Sequence, residues 1–236
     1  MSKTQKSKRS IEDIIIYITF ISFIILFPIT IYHIHYTPLE AIMGVVQKIF
    51  YFHMPSAIYT MVMFFISFIF SIAFLIKPKD SFDNIASTAT EIGVLLATYV
   101  IISGPLWAKK AWGAYWVWDA RLTFTLIMWM IYISYLIIRS SNLTDKVKKI
   151  SAAISILGFV DVPLVHYSVK KWGGAHPIVT QGKKFTDTLA PEMVTSLYLS
   201  FTTMALMVAL LFLVRYKLKR LESKLNQIEY KFFMES

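Results

Sequence analysis

Cysteine is absent from the chain, and charge is scarce: 16% of its 236 residues are Asp, Glu, Lys or Arg. Without cysteine there is no disulfide framework, no thiol redox chemistry and no self-attachment of a cofactor through Cys-x-x-Cys-His. No Walker-type phosphate loop and no His-Glu-x-x-His occurs either, so ATP hydrolysis and zinc proteolysis have no support. A water-soluble domain carries roughly 25% charged residues and shows polar faces at helical or strand periods. This chain has neither. Acidic residues are the scarcer charge, 14 against 24 Lys and Arg, for a formal net charge of +10.

What is abundant is apolar sequence, 56% of residues with a mean hydropathy of +0.59, arranged in long blocks. A bilayer core demands ~20 successive apolar residues. Six stretches approach that: 14–32, 57–76, 92–107 (entered through polar residues 88–91), 122–138, 150–169 and 194–214. The expected fold is an all-α polytopic membrane protein, a single six-helix domain over residues 1–236, with no repeat or linker to divide it. Lys3, Lys6, Lys8 and Arg9 precede the first stretch as in a secretory signal. That stretch exceeds the ~7–15 residues of a signal core and no small-x-small site follows, so it reads as a retained helix.

Basic residues set the expected orientation. Segments 1–13, 77–90, 139–149 and 215–236 hold 16 of the 24 Lys and Arg, and segments 33–56, 108–121 and 170–193 hold 8. The bias predicts that both termini are cytoplasmic and that three loops face outward. The positive charge is then a topology signal at the lipid surface, and no nucleic-acid motif accompanies it. The tail after Val214 alternates Lys or Arg with Glu and Leu and reads as a solvated amphipathic extension of the sixth helix.

The middle outward loop concentrates aromatic rings. Trp107, Trp112, Tyr115, Trp116 and Trp118 fall within twelve residues and include four of the six tryptophans. An interfacial belt would scatter such residues over all helix ends, whereas a platform for a flat conjugated ligand would gather them; composition leaves both open. Trp112 and Trp116 stand four apart, so a helical turn would put both on one face beside Tyr115. Asp119 precedes the fourth span, where its carboxylate can cap the helix, and Arg121 can anchor at the membrane surface.

Five histidines complete the set: His33, His35, His53, His166 and His176. His53, in the first outward loop, and His176, in the third, are expected on the same face as the tryptophans. Two neutral imidazoles on opposite sides of a porphyrin would complete six-coordinate iron. Either alone reads as an interfacial residue; their convergence with the aromatic loop carries the metal reading. His33 and His35 end the first span and read as interfacial anchors, and His166 in the fifth reads as a packing partner, with an auxiliary contact as the alternative. In that span Asp161 falls near mid-bilayer, where a charge is costly; protonated, it could donate to a carbonyl freed by Pro163. Glu91, at the inner end of the third span, can reach water.

Trp112-Gly-Ala-Tyr115-Trp116-Val-Trp118-Asp119-Ala-Arg121-Leu-Thr123 resembles the tryptophan-rich "WWD" signature of haem-handling proteins. With six spans, the chain resembles the cytochrome c maturation protein C family, also called haem exporter protein C. The resemblance covers nearly the whole chain, with Gln47 to Ser56 matching one histidine loop and Asp161 to His176 the approach to the other. It implies non-covalent haem b with His53 and His176 as axial iron ligands. It also implies a platform of Trp112, Tyr115, Trp116, Trp118 and Asp119 within the motif region 107–123. Lys109, Lys110, Arg121, Lys170 and Lys171 are the nearest cations for the haem propionates, and Trp172 lies beside the second ligand. The second loop departs from the family pattern: Lys171-Trp172 and Ala175-His176-Pro177 stand where a Trp-Trp pair and Leu-His-Gln are usual.

The resemblance further implies a haem-transfer protein and not an enzyme. It would sit in the bacterial inner membrane, or the mitochondrial one, delivering haem to a periplasmic haem chaperone. An ABC transporter and a small single-helix subunit would be its partners. Three alternatives stand beside this reading: a synthase-type relative that attaches haem itself, a membrane electron-transfer cytochrome, and a solute permease using Asp161.

Overall fold

A computed structural model describes residues 10–141, 143–174 and 189–235, with side chains as far as residue 229. Seven α-helices account for most of it. They are α1 (Ile11–Tyr36), α2 (Phe50–Ile76), α3 (Asp80–Trp112), α4 (Ala120–Arg139), α5 (Asp145–Phe159), α6 (Asp161–Trp172) and α7 (Pro191–Glu235). Six spans are long and apolar enough to cross a membrane, α5 and α6 forming one of them. The chain is a multi-pass membrane protein.

Local sequence sets the helix ends. Ser10 and Asp13 form a reciprocal capping box at the start of α1. Asp119 caps α4 through a 2.9 Å bond from the Leu122 N–H, and Thr144 caps α5. Gly113 stops α3 in the left-handed region, at φ +77°, returning its N–H to the Lys109 carbonyl.

The six spans expected from hydropathy are all present, and most are longer than their apolar stretches. α3 begins at Asp80, well before the polar residues 88–91, because aqueous overhangs can remain helical once they pack on neighbours. α2 begins at Phe50 on a 3-10 turn over Val45–Ile49, so His53 lies in the first turns of a helix and not in a loop. The fifth span is broken at Val160, between α5 and α6, with Asp161 opening the second half.

The α2–α3 hairpin forms the centre. α1 and α7 pack on one side of it and α4 with α5–α6 on the other. Phe64 of α2 lies flat on Tyr132 of α4, with centroids 3.6 Å apart and planes 5° apart, over Gly93 of α3. Lipid gives apolar helices no hydrophobic reason to associate, so close packing and hydroxyl bonds carry the assembly. Ser67 illustrates this, bonding Thr90 at 2.6 Å and Ser155 at 2.8 Å to join α2, α3 and α5.

Ion pairs gather at the end that carries both termini. Arg139 clasps Asp83 with two bonds of 2.7 and 2.8 Å. Glu91 is held by Arg215 at 2.6 Å and Lys219 at 2.8 Å, so it does more than reach water. Lys217 pairs with Asp13, and Arg220 with Glu12. The tail therefore continues α7 as expected, but its first turns are clamped to α1 and α3 instead of being freely solvated. Asp161 is buried, and its Oδ2 has no hydrogen-bond partner among the described residues, so that oxygen makes no bond to a freed carbonyl there.

Candidate functional site

At the opposite end of the bundle, His53 projects from α2 onto α3. Its Nδ1 lies 2.8 Å from Oγ of Ser103, and its Cε1 lies 3.3 Å from where a β-carbon on Gly104 would be. A hydroxyl accepting from Nδ1–H would fix the tautomer with its lone pair on Nε2, the arrangement a metal-ligating imidazole uses. Sequence reading missed Ser103 and Gly104. Their only signal was a small polar pair, Ser-Gly before Pro105, near the end of an apolar span.

Ser103 and Trp107 are one helical turn apart, so α3 carries the histidine's anchor directly to the tryptophans. Because Gly113 ends α3, Trp112 and Trp116 do not share the expected helical face. Trp112 instead meets Trp107 edge-on at 5.7 Å and 83°, and Trp116 meets Trp118 at 5.8 Å and 72°. Trp118 is 77% exposed and Tyr115 57%, leaving open ring surface at the bundle end. The indole N–H groups of Trp107 and Trp116 are buried and have no acceptor among the described residues.

The cations divide by role. Lys109 donates to the Gly113 carbonyl at 2.9 Å and lies over the Tyr115 ring at 5.3 Å, which staples the loop. Arg121 reaches the His166 carbonyl at 3.3 Å and so ties α4 to α6. Lys110 and Lys170 are exposed, and Lys171 lies 5.4 Å over the Trp172 ring.

Trp172 packs on Phe124 of α4 at 5.8 Å, bringing the end of α6 to the start of α4. There Gly174, at φ +147°, presses on Asp119: a β-carbon would sit 2.8 Å from Oδ2. His176, two residues further, lies outside the described residues. His166 is exposed, edge-on to Tyr167 at 5.1 Å, and not packed inside the bundle as expected. His33 and His35 stand edge-on to Tyr32 and Tyr36 at the end of α1.

Fold and site together define a membrane protein of six spans that sets a histidine and an open tryptophan loop at one end of its bundle. The chain belongs to the heme exporter protein C (CcmC) family, which matches it over residues 1–231. It is 29% identical to heme exporter protein C of Bradyrhizobium diazoefficiens over 65% of this chain and 59% of that protein. Against heme exporter protein C of Escherichia coli K12 it is 28% identical over 76% of this chain and 73% of that protein. A ccmC-like mitochondrial protein of cytochrome c biosynthesis from Marchantia polymorpha is 29% identical over 71% of each chain.

Proposed function

We propose that this protein presents haem in c-type cytochrome maturation, holding it at the outer membrane face until a periplasmic haem chaperone takes it. His53 and His176 are the axial ligands of non-covalent haem b, and Trp112, Tyr115, Trp116 and Trp118 offer the flat surface. The observation that carries this reading is the contact of Gly174 with Asp119, which brings the chain to the tryptophan loop two residues before His176. Three further features support it. Ser103 orients the His53 ring, the Tyr115 and Trp118 rings of the tryptophan loop are exposed, and two buried indole donors lack acceptors among the described residues. Lys110, Arg121, Lys170 and Lys171 supply positive charge for the propionates.

The protein's own side chains make and break no covalent bond here. They bind, orient and release. The pocket opens at one edge so that a chaperone histidine can displace one ligand. An ABC transporter and a small single-helix subunit are its partners, and the inner membrane of a bacterium or a mitochondrion is its place. The test is the absorption spectrum of the purified protein. A low-spin bis-histidine spectrum, lost in His53→Ala and in His176→Ala but kept in His166→Ala, is the expected result. Loss in His166→Ala alone would favour an electron-transfer cytochrome, and absence of haem from the wild type would favour a permease.

A further inference from the structure

The long terminal helix holds a second surface, at the end away from the tryptophans. α7 runs 45 residues, about 68 Å at ~1.5 Å per residue, against a bilayer core of ~30 Å. Arg215 and the ion pairs of Lys217 and Arg220 with α1 mark where it leaves the apolar layer. Along it run Leu211, Val214, Leu218, Leu221, Leu225 and Ile228, spaced alternately three and four apart. That is the a/d pattern of a coiled coil over nearly three heptads. All six are exposed. In lipid this is ordinary, but Leu218, Leu221, Leu225 and Ile228 lie at or beyond the charged boundary and remain 46%, 46%, 59% and 64% exposed.

The protein's own helices leave this face open. α3 meets α7 at Arg215, Lys219 and Ser223, and α1 meets it at Lys217 and Arg220. On a helical wheel those positions cover the other two sides, and the stripe from Leu218 to Ile228 points away from both. Inside the apolar layer the stripe does meet α1: Leu211 and Val214 line an apolar groove of about 300 Å³ with Ile16, Tyr17 and Phe20.

Flanking charges identify the occupant. Lys217 and Lys224 occupy g positions, and Arg215, Glu222 and Glu229 occupy e positions, Arg215 lying at the charged boundary. In a parallel pair each g residue faces the e′ residue five further along the partner, so Lys217 meets Glu222 and Lys224 meets Glu229. An antiparallel pair would set Lys against Lys and Glu against Glu. Two copies inserted the same way in one membrane can meet only in parallel, and confinement to that plane raises their effective concentration. We infer that α7 is a self-association helix, joining two copies of this chain through a parallel coiled coil at the end that carries their termini. Lys217 is already engaged by Asp13 and Glu222 by Arg215 at 3.6 Å, so Lys224 with the partner's Glu229 is the pair that decides register.

The absence of native cysteine makes the experiment direct. Leu225→Cys and Ser223→Cys are made separately in the full-length protein and oxidised mildly in lipid nanodiscs and native membranes. Leu225 sits on the seam, whereas Ser223 faces α3 and accepts from Asn84 at 3.2 Å. A disulfide-linked dimer is expected for Leu225→Cys, several-fold above that for Ser223→Cys. In the Leu225→Cys background, Lys224→Glu or Glu229→Lys alone should cut the yield several-fold, and the two together should restore it. Helix content by circular dichroism should match the parent in every variant. Equal cross-linking at both positions, a cross-link to a different protein, no dimer, or no rescue by the double exchange would each overturn the inference.

Discussion

Gly174 and Asp119 touch so closely that the glycine has no room for a side chain: its β-carbon would stand 2.8 Å from the aspartate Oδ2. Its φ of +147° also disfavours any other residue. Through this contact the end of α6 rests on the carboxylate that caps α4. Gly174→Ala should therefore strain the junction by about 1–3 kcal/mol and displace the segment leading to His176. The expected outcome is reduced haem occupancy, read from the Soret absorbance per protein, with six-span topology retained in cysteine-labelling tests. Undiminished occupancy would show that this junction does not govern the ligand.

Ser103 should matter through His53 and not through the fold. Removing such a supporting partner typically weakens metal binding about 10–100-fold. Ser103→Ala should thus lower haem affinity while Ser103→Thr, which keeps the hydroxyl, restores much of it. Haem titration of the apoprotein checks this. Equal affinity in Ser103→Ala and the wild type would remove Ser103 from the site.

Acidification should release haem. Iron binds the neutral imidazole, so protons compete with it, and an unperturbed imidazole takes its proton near pH ~6.5. Occupancy should be full above that value and should fall as the pH drops below it. Optical titration of the haem-loaded protein checks the sign; occupancy that stays flat far into the acid range would contradict ligation by two histidines.

At the other end, the Asp83–Arg139 clasp is a stability element. Both side chains are nearly inaccessible, at 5% and 10% exposure, and removing one partner of a buried pair costs about 3–5 kcal/mol because the other charge is left unpaired. Asp83→Ala should lower the thermal midpoint clearly in detergent, with Asp83→Ala/Arg139→Leu recovering part of the loss. Equal midpoints for Asp83→Ala and the wild type would show the clasp to be incidental.

Asp161 separates haem presentation from solute transport. A permease that couples through this carboxylate loses transport when it becomes an amide. Haem presentation needs no charge there, and a buried carboxylate in the apolar layer is expensive when ionised. Asp161→Asn should leave haem occupancy unchanged and the melting midpoint equal or raised. A fall in occupancy would place Asp161 in the haem pathway.

Much of the architecture was legible from hydropathy alone, since a span needs only length and apolarity, and all six spans are where those runs predict. Helix ends were less legible. His53 reads as a loop residue because the sequence before residue 57 is mixed in polarity, yet a 3-10 turn carries the helix back over it. The break at Val160 had a weak cue in Asp161 and Pro163. Gly174 carried no signal, and Ser103 and Gly104 only a faint one as a small pair before Pro105, because small residues acquire meaning only from what packs against them.

Sequence by itself determined that this chain lives in a bilayer, crosses it six times and concentrates its aromatic rings in one loop. Those properties follow from local composition, which the solvent reads residue by residue. Only the tertiary structure decided that Ser103 meets His53 across fifty residues, that Gly174 lies on Asp119, and that Leu218 to Ile228 on α7 face away from α1 and α3. Each is a contact between distant segments, and such contacts depend on how whole helices pack.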